Sequence, residues 1–364
     1  ALPVTAYSER NMPHGIAIYA YITIDRTAEA PQVYEWPRHS AGMAVDPVDH
    51  SGSAPGNVMA RLDRPRSDER TRIAVIADPH VSTREEGTSK LFEHTEAHLE
   101  SAVADINDRA IDYTLCVGDI TKDGERWNYD AADGILDDLE TPFRAVPGNH
   151  DVYKEGYDHE NLPLAEFEAR YTPDGELPFH ERVGGVDVVG LNSSGGDDWL
   201  TDSHDGLVPE EQLEWLEATL PELANPLIAV HHNLPTMSEQ LTQHRDNNEP
   251  EMAIPPTMRD PDAFLDTLAE HDAPLMVTGH LHLPSATKER GVREIMSPTT
   301  CSFPQSYLVF DVGPDGTEVR LIPVADHEGM MLGHYERHTD SYTGKGLTDM
   351  AAVRLAQFPL VDES

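Results

Sequence analysis

The chain of 364 residues has little cysteine and no long apolar run. Two cysteines are too few for a disulfide framework, and Cys116 lies in the apolar run Tyr113 to Val117, where a buried reduced thiol is the ordinary interpretation. No apolar stretch is long enough to span a bilayer, and the opening residues ALPVTAYSER lack the basic and apolar regions of a signal peptide. We therefore expect a cytoplasmic protein with no membrane segment, and leave open whether a leader was removed before Ala1.

Basic residues are also scarce. The chain has 26 Lys and Arg against 66 Asp and Glu, for a formal net charge of -40. This surplus repels itself and disfavours nucleic acid polymers and anionic membranes as partners. The acidic residues are spread along the chain, which fits a protein working in molar salt, where the screening length falls to about 3 Å. We predict a halophilic source, and net charge alone does not exclude a phosphate-bearing substrate.

Three regions of the chain differ in composition and periodicity. Residues 1–70 carry one strand-like run, Gly15 to Ile24, and a Pro/Gly/Ser-rich region, and we predict an N-terminal extension, partly β, of unknown role. Residues 71–326 alternate apolar strand-like runs with helical periodicity, which predicts an α/β sheet covered on both faces. Residues 327–364 are a polar tail with one predicted helix, Thr348 to Gln357.

Five predicted strands end in residues that can bind metals. These are Asp78 and His80 after IAVIA, Asp119 after YTLCV, Asn149, His150 and Asp151 after FRAV, His231 and His232 after PLIAV, and His280 and His282 after PLMVT. Ligands of open α/β sheets collect beyond the carboxyl ends of strands, so the five segments are expected to meet. The mixture of carboxylate, imidazole and amide oxygen suits Mn, Fe, Zn or Ni. There are too many ligands for one tetrahedral ion, and they fit two ions bridged by a carboxylate, as in phosphoryl displacement.

The order of these blocks, D-x-H, G-D, G-N-H-D, H and G-H-x-H, resembles the calcineurin-like metallophosphoesterase superfamily over roughly residues 72–325. The segments GDITKDGE and LNSS…DGLVPEEQLEWLE are similar to class III cyclic-nucleotide phosphodiesterases and bacterial glycerophosphodiesterases. The resemblance implies an α/β fold, a four-layer α/β/β/α sandwich, between the N-terminal extension and the C-terminal tail. It also implies a small phosphodiester substrate, a cyclic nucleotide or a glycerophosphodiester, hydrolysed by in-line attack of metal-bound hydroxide.

The resemblance further implies a role for each matching position. One ion would be held by Asp78, His80 and His282, the other by Asn149, His231 and His280, with Asp119 bridging the two. His150 would contact the phosphate and protonate the leaving alkoxide, and Asp151 would orient it. His232 is either an outer partner of the ligands or an ordinary wall residue.

Other functions stay open. A phosphomonoesterase of the same superfamily is one; the purple acid phosphatases, however, carry a tyrosine ligand shortly after the G-D block, where this chain has Ile120-Thr121-Lys122. A DNA-processing nuclease is disfavoured because no basic groove signature is present. Outside enzymes, a metal-bound scaffold without turnover remains possible, with residues 1–70 or the tail as its partner surface. The oligomeric state is not predicted.

Overall fold

The computed structural model describes residues 56–364, and the predicted strand Gly15–Ile24 lies outside the described residues. Strands of this range form two mixed sheets. The first sheet contains, in order across it, β13 (Val361–Asp362), β1 (Asn57–Leu62), β12 (Gly316–Pro323), β11 (Ser306–Gly313), β2 (Thr71–Ile76), β3 (Tyr113–Cys116) and β4 (Phe143–Ala145). The second contains β5 (Phe179–Val183), β6 (Val186–Gly190), β7 (Pro226–Ala229), β8 (Leu275–Thr278), β10 (Val292–Met296) and β9 (Ser285–Glu289).

The two sheets face each other across the main apolar core. Ile73 and Val75 of β2 belong to the same buried cluster as Val188 of β6. The alternate residues of β2, Ala74 and Ile76, belong to a second cluster on the outer face of the first sheet. This alternation is the period of two that a strand buried on both faces requires.

Residues 56–364 form eight α-helices, several of which cover the outer faces of the two sheets. They are α1 (Thr95–Asn107), α2 (Arg126–Leu136), α3 (Leu164–Tyr171), α4 (Glu210–Thr219), α5 (Pro235–Asn248), α6 (Asp262–Glu270), α7 (His327–Asp340) and α8 (Tyr342–Ala356). Leu99 of α1 and Tyr129 of α2 pack on the first sheet, and Leu216 of α4 and Phe264 of α6 pack on the second. The predicted α/β/β/α sandwich is confirmed. No helix among residues 56–364 is long and apolar enough to cross a bilayer.

Parallel strands bring the predicted metal-binding segments to one edge of each sheet. The strands β2, β3 and β4 run parallel to one another, and so do β6, β7 and β8. Their carboxyl ends therefore point in the same direction within each sheet, as predicted for a ligand-binding edge. The strand β11 returns antiparallel to β2 and forms a hairpin with β12 around the predicted Asp-Gly-Thr turn.

The two ends of the described chain contribute more to the fold than their sequence suggested. The strand β1, within the predicted extension, pairs with β12, and the last strand, β13, pairs parallel to β1. The tail holds two helices where one was predicted, because the buried residues of α7 are Gly329, Gly333 and Arg337 and leave no apolar periodicity to read.

Candidate metal centre

Four side chains form a first group of ligand atoms. Asp78, His80, Asp119 and His282 are all buried, and one ligand atom of each lies within 4.8 Å of the others. The Nε2 atoms of His80 and His282 are 3.1 Å apart, and His282 Nε2 is 3.4 Å from Asp78 Oδ1. Two imidazole nitrogens and two carboxylates converging at this distance match the donor set that a first-row divalent ion takes.

A second group lies beside the first and contains the predicted amide ligand. The Oδ1 atom of Asn149 is 3.1 Å from Nε2 of His231 and 2.8 Å from Nδ1 of His280. Asp119 Oδ2 lies 3.4 Å from His80 Nε2 in the first group and 3.4 Å from His231 Nε2 in the second. One carboxylate oxygen therefore faces both groups, which is the geometry of a bridging ligand.

Strained backbone positions these side chains. Five of the seven predicted ligands have a left-handed φ, namely Asp78 (49°), His80 (45°), Asp119 (53°), His280 (71°) and His282 (54°). Such conformations cost about 1–3 kcal/mol each and cluster at functional sites. The donor set and this concentration of strain both fit a pair of metal ions.

Glycine allows the strand ends to approach one another. Gly118 has a φ of 97°, and a Cβ there would lie 2.5 Å from His231 Nδ1 and 2.7 Å from the Cα of Gly148. Only glycine allows the backbone of this block to approach the neighbouring strand end so closely.

Hydrogen bonds fix which imidazole nitrogen faces the centre. His231 Nδ1 donates to the carbonyl of Val117 at 2.7 Å, and His280 Nε2 donates to the carbonyl of Pro256 at 2.8 Å. The other nitrogen of each ring points at Asn149 Oδ1 and at the ligand groups, and in the neutral ring it is the atom free to bind a metal. His232 lies with His231 and His280 in a group that could hold an ion, but its two nitrogens already contact Ser193 Oγ at 2.8 Å and the His204 carbonyl at 3.1 Å.

Burial keeps most of the imidazoles neutral, which is the form that binds metals. Desolvation lowers the pKa of His80 and His282 below the usual histidine value and lowers the pKa of His280 to about 3. These rings are neutral, as ligands must be. His231 differs: burial would lower its pKa, but the Asp119 carboxylate outweighs burial and raises the pKa to about 9. Burial opposes ionisation of Asp119 as well, yet the charges of His231 and His150 hold its pKa well below the usual range.

The predicted catalytic residue His150 stands next to these groups. Its backbone N–H donates to Asp119 Oδ1 at 2.8 Å, and its Nδ1 lies 2.7 Å from Asp123 Oδ1. With Nδ1 engaged by the carboxylate, Nε2 faces the space in front of the centre. It is 3.4 Å from Lys90 Nζ, and Lys90 Nζ is also 3.3 Å from His80 Nδ1.

The prediction that Asp151 orients His150 is contradicted by the hydrogen bonds of both residues. Asp151 accepts the backbone N–H groups of Ile120 at 3.1 Å, Thr121 at 3.1 Å and Gly148 at 2.9 Å. The adjacent side chain of a tight turn points away from His150, so Asp151 instead joins the loop carrying Asp119 to the loop carrying Asn149. Asp123 has the orienting position, and its signal was present in the GDITKDGE segment, three residues before the polar α2 helix begins.

Three further residues of the site had no motif in the sequence. His204 Nδ1 lies 2.8 Å from Asn149 Nδ2, and this contact turns Asn149 Oδ1 toward the ligand groups. Lys90 and Arg337 line a cavity of about 210 Å³ in front of the centre. Asp119, His150, His280 and His282 line the same cavity. Lys90 comes from the polar loop after β2 and Arg337 from α7, and neither is near a recognisable block.

Comparison with known proteins agrees with this geometry. A sequence profile of the calcineurin-like phosphoesterase family matches residues 71–284, more than half of the chain. Among named relatives, the 3′,5′-cyclic adenosine monophosphate phosphodiesterase CpdA of Vibrio vulnificus is 29% identical over 65% of this chain and 78% of its own length. The protein of the same name from Pseudomonas aeruginosa is 25% identical over 65% of this chain and 79% of its own. A 3′,5′-cyclic-nucleotide phosphodiesterase of Nostoc is 25% identical over 69% of this chain and 86% of its own length.

A solved structure supports the fold independently. The dimetal phosphatase from Danio rerio superimposes with a TM-score of 0.51 and 17% sequence identity, covering 70% of this chain and 99% of that chain. At this identity the likeness concerns the fold alone. With the family profile spanning the strands that carry the ligand groups, the conclusion is that the chain belongs to the calcineurin-like phosphoesterase family.

Proposed function

We propose that the protein is a metal-dependent phosphodiesterase that hydrolyses a small phosphodiester, with a 3′,5′-cyclic nucleotide as the first candidate and a glycerophosphodiester as the second. The observation that carries this proposal is the pair of ligand groups sharing Asp119, with His150 at the mouth of the adjoining cavity. The names of the relatives support the diester, since the three described above are cyclic nucleotide phosphodiesterases.

In this proposal each ligand group holds one first-row ion. Asp78, His80 and His282 would hold the first, Asn149, His231 and His280 would hold the second, and Asp119 would be shared by both groups. The ions, when bound, would supply Lewis acidity to the phosphoryl oxygens. Their identity, Mn, Fe, Zn or Ni, stays a proposal because these ions compete for the same donors.

The chain's own residues handle the proton and the orientation of the substrate. Asp123 fixes His150 so that Nε2 faces the cavity, from which it would pass a proton to the leaving alkoxide oxygen. Lys90 Nζ, 3.4 Å from that nitrogen, supplies positive charge for a non-bridging phosphoryl oxygen. His204 keeps the amide of Asn149 from turning over.

The experiment that tests the proposal compares a generic aryl phosphodiester with its monoester. Metal-stripped protein in molar KCl receives Mn²⁺, and both substrates are assayed beside the Asn149→Ala variant. Metal-dependent cleavage that favours the diester and collapses in the variant is the expected result. Preference for the monoester would indicate a phosphatase instead. No turnover with any first-row metal would indicate a metal-bound scaffold without enzymatic activity.

A further inference from the structure

The helix pair α7 and α8 lies after the segment matched by the family profile, which ends at residue 284. It nevertheless lines the cavity in front of the metal centre. The cavity is lined by Asp119, His150 and His280, and also by Ser341, Gly344 and Leu347 at the start of α8. A molecule bound at the centre therefore meets α8 as well.

Arg337 fastens α7 to the metal centre. Its side chain is buried, and its Nη1 atom donates to the carbonyls of His282 at 2.7 Å and Phe303 at 2.6 Å. Its Nη2 atom donates to the carbonyl of Leu281 at 3.3 Å. The guanidinium thus holds the segment that carries a metal ligand and fixes α7 at the cavity.

The start of α8 is fastened on its opposite side. Thr343 Oγ1 accepts the backbone N–H of Ala253 at 3.1 Å, and Lys345 forms ion pairs with Glu249 and Asp349. A Cβ on Gly346 would collide with the sulfur of Met252. The contacts of Thr343, Lys345 and Gly346 join the start of α8 to the segment 249–253, so α8 forms a packed wall of the cavity.

The chemistry of this wall differs from that of the metal centre. Ser341 Oγ accepts the N–H of Gly344 at 3.0 Å, which leaves the hydroxyl proton able to donate, and Leu347 offers an apolar surface. A hydroxyl beside an apolar side chain suits a sugar, which presents both hydroxyl groups and C–H faces. The cavity of about 210 Å³ is smaller than the roughly 300–1,000 Å³ typical of drug-sized ligands, so it accommodates a phosphoryl group and one sugar-sized arm.

We propose that the first turns of α8, held in place through Arg337 of α7, form a subsite for a ribose-sized arm of the phosphoester and thereby select substrates. This inference rests on the proposed function, because the phosphoryl group must lie at the metal centre for its arm to reach α8. Leu347 is then a specificity-determining residue and Arg337 a positioning residue.

The test measures binding, so that it does not depend on turnover. Calorimetry on the Mn²⁺-loaded protein gives the affinities of adenosine 5′-monophosphate and of inorganic phosphate for the wild type, Leu347→Phe, Leu347→Ala and Val353→Phe. Val353 lies on the same helix and is 50% exposed, which makes it a matched control. We expect Leu347→Phe to weaken nucleotide binding by about tenfold, which corresponds to about 1.4 kcal/mol, with phosphate affinity unchanged.

Each outcome decides the proposal. Leu347→Ala should weaken nucleotide binding by about threefold through the lost apolar contact, and Val353→Phe should alter neither affinity. An unchanged ratio of nucleotide to phosphate affinity in both Leu347 variants would overturn the subsite, as would a parallel loss of both affinities. If Leu347→Phe does not fold by circular dichroism, Leu347→Ala decides the test. Absence of diester hydrolysis by the wild type rejects the proposed function without altering these binding ratios, so the two failures are distinguishable.

Discussion

His150 and Asp123 are joined by a contact of 2.7 Å between the imidazole Nδ1 and a carboxylate oxygen. Asp123 is itself held in place: its second carboxylate oxygen pairs with Lys122 Nζ at 2.6 Å, and its backbone carbonyl accepts from His159 and Asn161 at 2.8 Å each. Burial would raise the pKa of Asp123, but His150 and Lys122 outweigh it and hold the pKa well below the usual range. The carboxylate is therefore a fixed negative charge behind the imidazole.

Asp123→Asn should lower kcat by about 10- to 100-fold, because the amide stabilises the protonated imidazole less well and no longer selects its tautomer. Metal content should stay at the wild-type value, since Asp123 does not belong to either ligand group. Steady-state kinetics and metal analysis of the purified variant check both statements.

Asp151→Asn is the matched control for this prediction. Its carboxylate accepts three backbone N–H groups, so the variant should lose about 1–3 kcal/mol of folding stability. Thermal unfolding measures the loss. If Asp151→Asn lowers kcat at unchanged stability while Asp123→Asn does not, the orienting role belongs to Asp151 after all.

Asn149→Ala should leave the fold intact and remove one ion per chain. Oδ1 of Asn149 lies within 3.1 Å of a ring nitrogen of both His231 and His280, so its loss opens the second group while the first group keeps all its members. The metal content after dialysis should fall from two ions per chain to one, and kcat should fall by at least about 100-fold. Two ions retained in the variant would contradict the assignment of Asn149 as a ligand.

Metal affinity should depend on pH through His231. The pKa of this residue is raised to about 9 by the Asp119 carboxylate, so the ring binds a proton in the metal-free protein at neutral pH. A metal must displace that proton, and the apparent affinity should weaken about tenfold for each pH unit below about 9. Activity at limiting metal should fall in the same direction as pH decreases.

The same shift has a consequence for the metal-free protein. The pKa of His231 in the folded protein exceeds the ordinary value of 6.5. Proton binding to His231 therefore stabilises the metal-free fold fully below pH 6.5, and this contribution is lost as pH rises through about 9.

The pH dependence of metal affinity can be measured by competition titrations against a chelator of known pH dependence. A metal affinity that does not change between pH 7 and pH 9 would rule out the linkage between metal binding and proton release from His231.

Folding stability should rise with salt. The net charge of -40 repels itself, and the repulsion is screened as the screening length falls from about 10 Å at 0.1 M to about 3 Å at 1 M. We expect the midpoint of thermal unfolding to rise by at least about 5 °C between 0.1 M and 2 M KCl. A midpoint that does not change, or that falls, would count against the halophilic source, which stays a prediction.

The fold and the convergence of the candidate ligands could be predicted because each block is local. Asp119 directly follows an apolar run that ends at Gly118, and the chain there must turn beyond the sheet whatever the rest of the molecule does. The same logic holds for His231 after β7 and for His280 after β8. Where a side chain's position follows from a strand's end, sequence reasoning succeeds.

Sequence reasoning failed where the partner is set by side-chain direction or by distant segments. Asp151 is adjacent to His150 in sequence but points into the loop behind it, whereas Asp123, 27 residues earlier, reaches the imidazole. The contribution of α7 could not be read because an arginine and two glycines occupy its buried face. A buried arginine that binds backbone carbonyls leaves no pattern along the chain.

The position of the helix pair in the chain has a kinetic consequence during synthesis. All of the proposed ligands, up to His282, precede α7 and α8 in the chain, so they leave the ribosome first. At about 5–20 residues per second, the wall follows the last ligand by a few seconds. For that interval a nascent chain presents its candidate ligand histidines without the helices that later line the cavity.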